Sequence, residues 1–380
     1  VMTPELGRTA PLIPPIYATS VYTFPDLDAL DEVYAGNQPG FVYARDGHPN
    51  GKLLADELTR IERGRWGIMT GSGMGATVAA LLALVADGDR VVAANRLYGR
   101  TAQLLRGHLA RFGVDTSFVD ASDPDAVRAA VRSHPTKVLF VETLSNPLCR
   151  VAEIPVLAEI AKSAGATLVV DNTFATPVLC RPLELGAGIV VESVTKLIGG
   201  HSDVTLGFVA GTDPALFPTV KTAVSVWGLS APPFDCWLAT RSLATLDMRA
   251  HASAANAAAV ADWLAGRPGI SRVVYPGRAD HPDAAAARRL FPASPPGHML
   301  CFELAGGREA VNRFMRSAPG IPFSPSLGDA VTTCSHPDTT SHRYDDPAEK
   351  LKEGITPGLV RLSVGCEPLA RITAELAKGL

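Results

Sequence analysis

Seven short apolar runs punctuate residues 66–211: "WGIMT", "RVVAAN", "VDTSFVD", "KVLFVE", "TLVVD", "IVVES" and "LGFVAG". Each is short and rich in β-branched residues, and helix-like stretches such as Gly75–Ala86 and Ile154–Ala164 separate them, so they read as buried strands. Alternation of this kind predicts an α/β fold built on an open, mostly parallel seven-stranded sheet with helices on both faces. The polar residues gather at the C-terminal ends of the runs: Ser72 after the first, Tyr98 beyond the second, Glu142 and Asn146 at the fourth, Asp171 at the fifth, and Ser193, Thr195 and Lys196 at the sixth. In such sheets that edge is where ligands bind.

Three of these features carry chemistry. "GSGMGA", Gly71–Ala76, lies between a strand and a helix, where the N–H groups of Ser72, Gly73 and Met74 can hold a phosphate; close helix–strand packing is the other reading. It also fits a permitted dinucleotide fingerprint, but the next strand ends in Asn95 rather than the acid that a nicotinamide cofactor requires. Asp171 ends a Val-rich strand, and a carboxylate there needs a cation, either a protonated pyridine nitrogen or a metal. The neighbouring sequence has no His/Cys/carboxylate set at metal-ligand spacing, so no metal is expected. Lys196, in "VESVTKLIGGHSD", sits at the same edge between Ser193, Thr195 and a Gly-Gly turn. A partly desolvated lysine with a depressed pKa is what an imine with an aldehyde needs. A phosphate cradle, a carboxylate for a ring nitrogen and an imine lysine together describe pyridoxal 5′-phosphate (PLP).

The rest of the chain narrows the class. Its 380 residues, 47% hydrophobic and 19% charged, allow a large core, and a net charge of −3 without a polybasic stripe excludes nucleic acid as an expected partner. No apolar run reaches the roughly 20 residues of a membrane span, and six scattered cysteines without a C-x-x-C pair suit a reducing, cytoplasmic compartment. Residues 1–46, rich in Pro and aromatics, read as an extended arm that packs on a neighbouring subunit. Residues 47–247 form the expected cofactor-binding α/β domain, and residues 248–380, opening on an Ala-rich helix, a smaller α+β domain.

From "PLIPPIYATSVYTF" to "LVRLSVG" the chain resembles the Cys/Met-metabolism family of PLP-dependent enzymes, which includes cystathionine γ-synthase, cystathionine γ-lyase, methionine γ-lyase and O-acylhomoserine sulfhydrylases. The resemblance implies PLP fold type I, the aspartate-aminotransferase-like architecture. It implies that Lys196 of "SVTK" is the Schiff-base and catalytic residue, with the Ser193 and Thr195 hydroxyls toward the phosphate and Gly73 and Met74 donating N–H groups to it. Tyr98 of "NRLYGRT" would stack on the cofactor and assist catalysis, and Asp171 would hold the ring nitrogen. Asn146 of "ETLSNP", Ser326 of "SLGD" and Arg361 of "VRLSVG" would bind the substrate carboxylate. Tyr43 and Arg45 of "YARDGHPN" would reach the phosphate of the adjoining subunit, in homodimers paired into homotetramers.

Several positions depart from common patterns of that family. Val42 and Pro325 stand where cystathionine-processing members place glutamates, which argues against cystathionine. Arg100 follows Tyr98-Gly99, either to meet an acidic substrate group or to pair with a surface acid. His48 and Asn50 alter the loop toward the neighbouring site, and Glu192 precedes Ser193 without a physical account from sequence. The expected activity is γ-elimination on an L-amino acid with a γ leaving group, including specialised substrates such as halogenated or unsaturated amino acids or homoserine esters. γ-Replacement is the alternative; a nicotinamide-dependent dehydrogenase and a non-catalytic binding protein are the alternatives of another class.

Overall fold

The computed structural model describes residues 9–380; the first eight residues of the N-terminal arm lie outside the described residues. All seven apolar runs are strands: β1 Trp66–Thr70, β2 Arg90–Ala94, β3 Asp115–Val119, β4 Val138–Glu142, β5 Thr167–Asp171, β6 Ile189–Glu192 and β7 Gly207–Gly211. They form one sheet in the order β1-β7-β6-β5-β4-β2-β3, parallel from β6 through β3, with β7 antiparallel to both of its neighbours. The central strands β4, β6 and β7 are buried at every position, as continuous Val/Ile/Phe runs require. The run at β3 is the exception to the expected burial. It is an edge strand, half-buried or exposed along its length, and its polar Asp-Thr-Ser start is compatible with that place.

The helix Gly73–Leu84 packs on β6 and β7, and its Ala76, Ala79 and Ala80 are fully buried. Small side chains let the helix sit close to the sheet and hold its N-terminus at the strand ends. Beyond the sheet, the helix Leu246–Ala265 leads into a second, antiparallel sheet of β8 Ile270–Val274, β9 Met299–Leu304, β10 Thr333–Ser335 and β11 Leu359–Ser363, ordered β10-β11-β9-β8. This smaller C-terminal unit has its own core, with Phe302, Phe314, Val360 and Leu362 buried together. The two units are tied at Arg249. Its buried guanidinium donates to the carbonyls of Leu197, Ile198 (3.0 Å) and Ser242 (2.9 Å), so the first turns of the long helix clamp the loop that carries Lys196.

The N-terminal arm is not extended throughout. Leu27–Tyr34 is a helix whose Asp26 cap accepts from the Ala29 amide at 2.8 Å, and Leu27, Leu30, Val33 and Tyr34 follow helical spacing. The short amphipathic run is masked in sequence by the Pro-rich stretch around it. None of its residues is buried, and Leu12, Ile13, Tyr17, Leu27, Tyr34 and Tyr43 are exposed in the single chain.

Candidate active site

A cavity of about 1300 Å³ opens at the C-terminal edge of the large sheet, between it and the smaller unit. Of the residues singled out from sequence, Ser72, Gly73, Met74, Tyr98, Asn146, Asp171, Ser193, Thr195, Lys196, Ser326 and Arg361 all line it. Tyr43 and Arg45 do not. Both are exposed, with the Arg45 guanidinium 5.1 Å from the Tyr43 ring centroid.

Ser72 caps the helix Gly73–Leu84, accepting from the Gly75 amide at 3.0 Å. Gly73 and Met74 therefore open the helix, where N–H groups have no intrahelical acceptor. Glycine at 73 is required by contact: a Cβ there would stand 2.6 Å from the Cβ of Ser193 and 2.8 Å from its Oγ. The helix start and the Ser193 hydroxyl thus form one small cradle. Thr195 differs from its neighbour. Its hydroxyl donates to the Leu206 carbonyl at 3.1 Å and accepts the Leu206 amide at 3.0 Å, so its one proton braces the loop in this arrangement.

Lys196 follows β6, and its Nζ donates to the Ser326 hydroxyl at 3.0 Å. Burial, and secondarily the Arg361 charge, holds its pKa below the usual lysine value. The Ser326 loop is pressed against the lysine loop at Gly328, a left-handed residue (φ +79°) where a Cβ would lie 2.4 Å from the Leu197 nitrogen. Arg361, on β11, is 3% exposed, donates to Asn146 Oδ1 at 2.6 Å and reaches the Ser326 carbonyl at 3.4 Å. Four segments far apart in sequence thereby place an amine, a hydroxyl, an amide and a guanidinium on one wall.

The opposite polarity comes from Asp171 and Glu142, paired in register on β5 and β4. The Asp171 carboxylate is held by Thr173, whose amide donates at 3.0 Å, and burial raises its pKa. Glu142 accepts the amides of Tyr98 (2.5 Å) and Asn146 (3.1 Å); burial and then the Asp171 charge push its pKa well up. Sequence reasoning placed Glu142 at the edge without a role; it positions both loops. Thr173 was missed, although its hydroxyl also accepts the Ser193 amide at 2.9 Å and so links the Asp171 strand to the cradle. Its position, two residues beyond the aspartate in "DNTF", was the available signal.

His48 is 3% exposed and caps the helix Pro49–Glu62, accepting from Gly51 at 3.0 Å while its other ring nitrogen lies 2.9 Å from the Ala231 carbonyl. Burial lowers its pKa, so it is a structural imidazole. Asn50 is likewise structural: it bonds the backbone of Tyr17 and Pro15 at 2.8 Å each.

These residues fit PLP by their chemistry: a helix-start cradle closed by Ser193, a half-buried carboxylate whose hydrogen-bond donors all come from Thr173, and an amine of lowered basicity across the same cavity. Fold and cavity together define a PLP-dependent enzyme of fold type I. Residues 4–380 match the family described as "Cys/Met metabolism PLP-dependent enzyme", and the chain belongs to it. Its curated relatives include the L-methionine gamma-lyase of Pseudomonas putida, 39% identical over 97% of this chain and 92% of that protein. The O-succinylhomoserine sulfhydrylase of Pseudomonas aeruginosa is 38% identical over 96% of this chain and 90% of its own. Among solved structures, the cystathionine gamma synthase of Xanthomonas oryzae pv. oryzae in complex with cystathionine superposes with a TM-score of 0.90 at 34% identity, covering 97% of this chain and 92% of that one. The dinucleotide reading of "GSGMGA" is set aside by this membership. The chain is a PLP-dependent enzyme of a family that includes carbon–sulfur lyases and γ-substitution enzymes.

Proposed function

We propose that the protein catalyses γ-elimination on an L-amino acid bearing a γ leaving group, with Lys196 as the residue that anchors PLP and then moves protons. The observation that carries this reading is the wall beside the lysine. Ser326 bonds the amine, and its neighbour Pro325 presents an apolar ring to the cavity where a carboxylate would suit a distal ammonium. Position 42 is likewise apolar, a valine.

Bound PLP supplies an electron sink for charge developing at Cα. Arg361, held by Asn146 and the Ser326 backbone, binds the substrate carboxylate and fixes which Cα bond faces Lys196. Lys196, less basic than an exposed lysine, takes the Cα proton at Nζ and returns protons further along the side chain as the γ group departs. Tyr98, whose backbone Glu142 anchors at the cavity, would lie against the cofactor and assist those transfers. Asp171 would hold the protonated ring nitrogen, and Ser72, Gly73, Met74 and Ser193 the phosphate, while Thr195 braces the loop that carries Lys196.

A second reading, γ-replacement, is favoured by Arg100. It lines the cavity and donates to Gln103 at 2.8 Å, an uncharged partner, which leaves its charge to meet a substrate's distal carboxylate such as that of a succinyl ester. The departures at Val42, Pro325 and Arg100 support a specialised substrate, a homoserine ester or a halogenated or unsaturated amino acid. His48, a helix cap, no longer contributes to that case.

Purified enzyme is to be incubated with L-methionine, cystathionine, O-acylhomoserines and vinyl halide analogues, and products identified by mass spectrometry. Release of a 2-oxo acid and ammonia without added thiol is expected. Product only in the presence of a thiol would replace elimination with γ-replacement, and rapid turnover of both L-methionine and cystathionine would defeat the specialised substrate.

The exposed Tyr43 and Arg45, and the apolar arm beside them, support a homodimer in which each chain completes its neighbour's phosphate site, with dimers pairing into a tetramer. No helix among the described residues is long and apolar enough to cross a membrane, and all six cysteines are free; a cytoplasmic setting suits them.

A further inference from the structure

Behind the cavity, polar side chains from three elements meet out of reach of solvent. Glu62 ends the helix Pro49–Glu62, Asn172 follows β5 and Glu192 ends β6; Glu62 and Asn172 are 0% exposed and Glu192 1%. The Asn172 amide nitrogen contacts Glu62 Oε1 (3.3 Å), Glu192 Oε1 (3.1 Å) and the Cys180 carbonyl (2.9 Å), and its oxygen accepts the Thr143 hydroxyl (2.7 Å). Both carboxyls thus crowd the one Asn172 amide nitrogen, and Glu62 Oε2 and Glu192 Oε2 have no hydrogen-bond partner among the described residues. Carboxylates only accept, so two buried carboxyls converging on a single amide nitrogen with an orphan oxygen each are accommodated by a proton on one of them.

The surrounding charges do not supply a neutralising partner. Arg181 and Glu184 face Glu62 from the same side, but the Arg181 guanidinium is spent on the Ile61 carbonyl (2.9 Å) and on Glu184 (3.5 Å). The Cys180 thiol faces both glutamates, and Asp171 faces Glu192. Burial keeps the thiol neutral, yet among the described residues Asp171 and Glu184 still outnumber the one cation, Arg181, and ionising both carboxyls in that setting is prohibitively costly.

We propose that Glu62 and Glu192 share a proton and act, through Asn172, as a positioning pair for the cofactor site, fixing the ends of β5 and β6 beside Asp171 and Ser193 and setting the charge behind Asp171. Glu192 is thereby assigned a purpose that its place in "VESVTK" did not disclose. Burial pushes the Glu62 carboxyl up to about 7 and Glu192 well above the carboxylate range, so the pair acquires its first negative charge across neutral pH. That charge faces Asp171 and favours a proton on whatever ring nitrogen Asp171 holds. This last step rests on the assignment of Asp171 to the cofactor.

The test begins with the wild-type apoprotein carrying 13C-labelled glutamate, by infrared spectroscopy. A protonated carboxyl band that persists at neutral pH and is lost in Glu192→Gln is expected, because the carboxamide donates to Glu62 without needing the shared proton. Glu142 contributes a similar band, and the difference between wild type and variant isolates the pair. No protonated glutamate in the wild-type protein overturns the proposal even should the variant fail to fold.

The second readout is apoprotein thermal stability against pH. The carboxyls are raised above their unfolded values, so their contribution is full below the ordinary carboxyl range of about 4.5 and is lost as pH rises through about 7. Glu192→Gln should flatten that decline; an unchanged profile counts against the pair. Third, the pH at which the holoenzyme releases PLP should shift in the variant, and an unshifted release profile with the band lost would refute the link to Asp171. None of these readouts uses turnover, so the substrate assignment can fail without this proposal failing, and the reverse.

Discussion

Lys196 acquires its chemistry from three neighbours that do different things. Burial lowers its basicity, Arg361 adds like-charge repulsion, and the Ser326 hydroxyl accepts one of its hydrogens at 3.0 Å and aims it into the cavity. Only a neutral amine attacks an acylating reagent, and a depressed pKa makes an amine neutral at lower pH. In the apoprotein, Lys196 should therefore be acylated at a lower pH than the chain's other lysines, read by peptide mass spectrometry. Arg361→Met should move its reactivity back toward the ordinary lysine range; a Lys196 that labels alongside exposed lysines would remove the basis for its role. At this scale the sequence disclosed residue types and missed pairings. "SVTK" and "LVVDNTF" identify the lysine and the aspartate because the one closely follows a buried strand and the other ends one. Nothing local to Glu192 points to Glu62, since the two meet across the end of the sheet from different elements.

The elements place these groups because the helix Gly73–Leu84 can approach β6 closely. That approach depends on Gly73, whose missing side chain leaves room for Ser193. Gly73→Ala should separate the helix start from the cradle, at a cost of about 1–3 kcal/mol of overpacking. Weakened PLP retention on dialysis is expected together with a fall in Tm. A variant that retains PLP as the wild type does would show that the cradle is not where the phosphate sits. The strands were legible at this scale because Val-rich runs between helical stretches have few other solutions. The edge strand β3 was read as buried because "VDTSFVD" has apolar residues enough for either place, and only the sheet order puts it outermost. The helix Leu27–Tyr34 was hidden by the Pro-rich residues before it, even though Asp26 is a good cap.

For the whole molecule, the proposed phosphate cradle of the single chain lacks Tyr43 and Arg45, the two residues expected from a neighbour. Tyr43 and Arg45 are exposed and do not line the cavity of their own chain, and in the same arm Leu12 is 100% exposed and Tyr34 70%. Apolar surface of that extent needs a cover, and a second copy of the chain would supply one. If sites are shared, Lys196→Ala chains and Arg45→Ala chains, each impaired alone, should regain part of the activity when unfolded together and refolded as hybrids, because one composite site then has both wild-type residues. Light scattering checks that dimers or tetramers form. Hybrids no more active than their parents would confine the site to one chain.

The sequence by itself determined the sheet, the cofactor and the family, because strand runs, a capped glycine turn and a lysine after a strand are written within a few residues of one another. Only the tertiary structure decided how the wall beside Lys196 and the buried carboxyl pair assemble. Arg361 meets Asn146 across 215 positions, Lys196 meets Ser326 across 130, and Asn172 reaches Glu62 across 110. Such contacts are set by how two sheets and a helix pack, and a desolvated carboxyl pair exists only once that packing has removed the water.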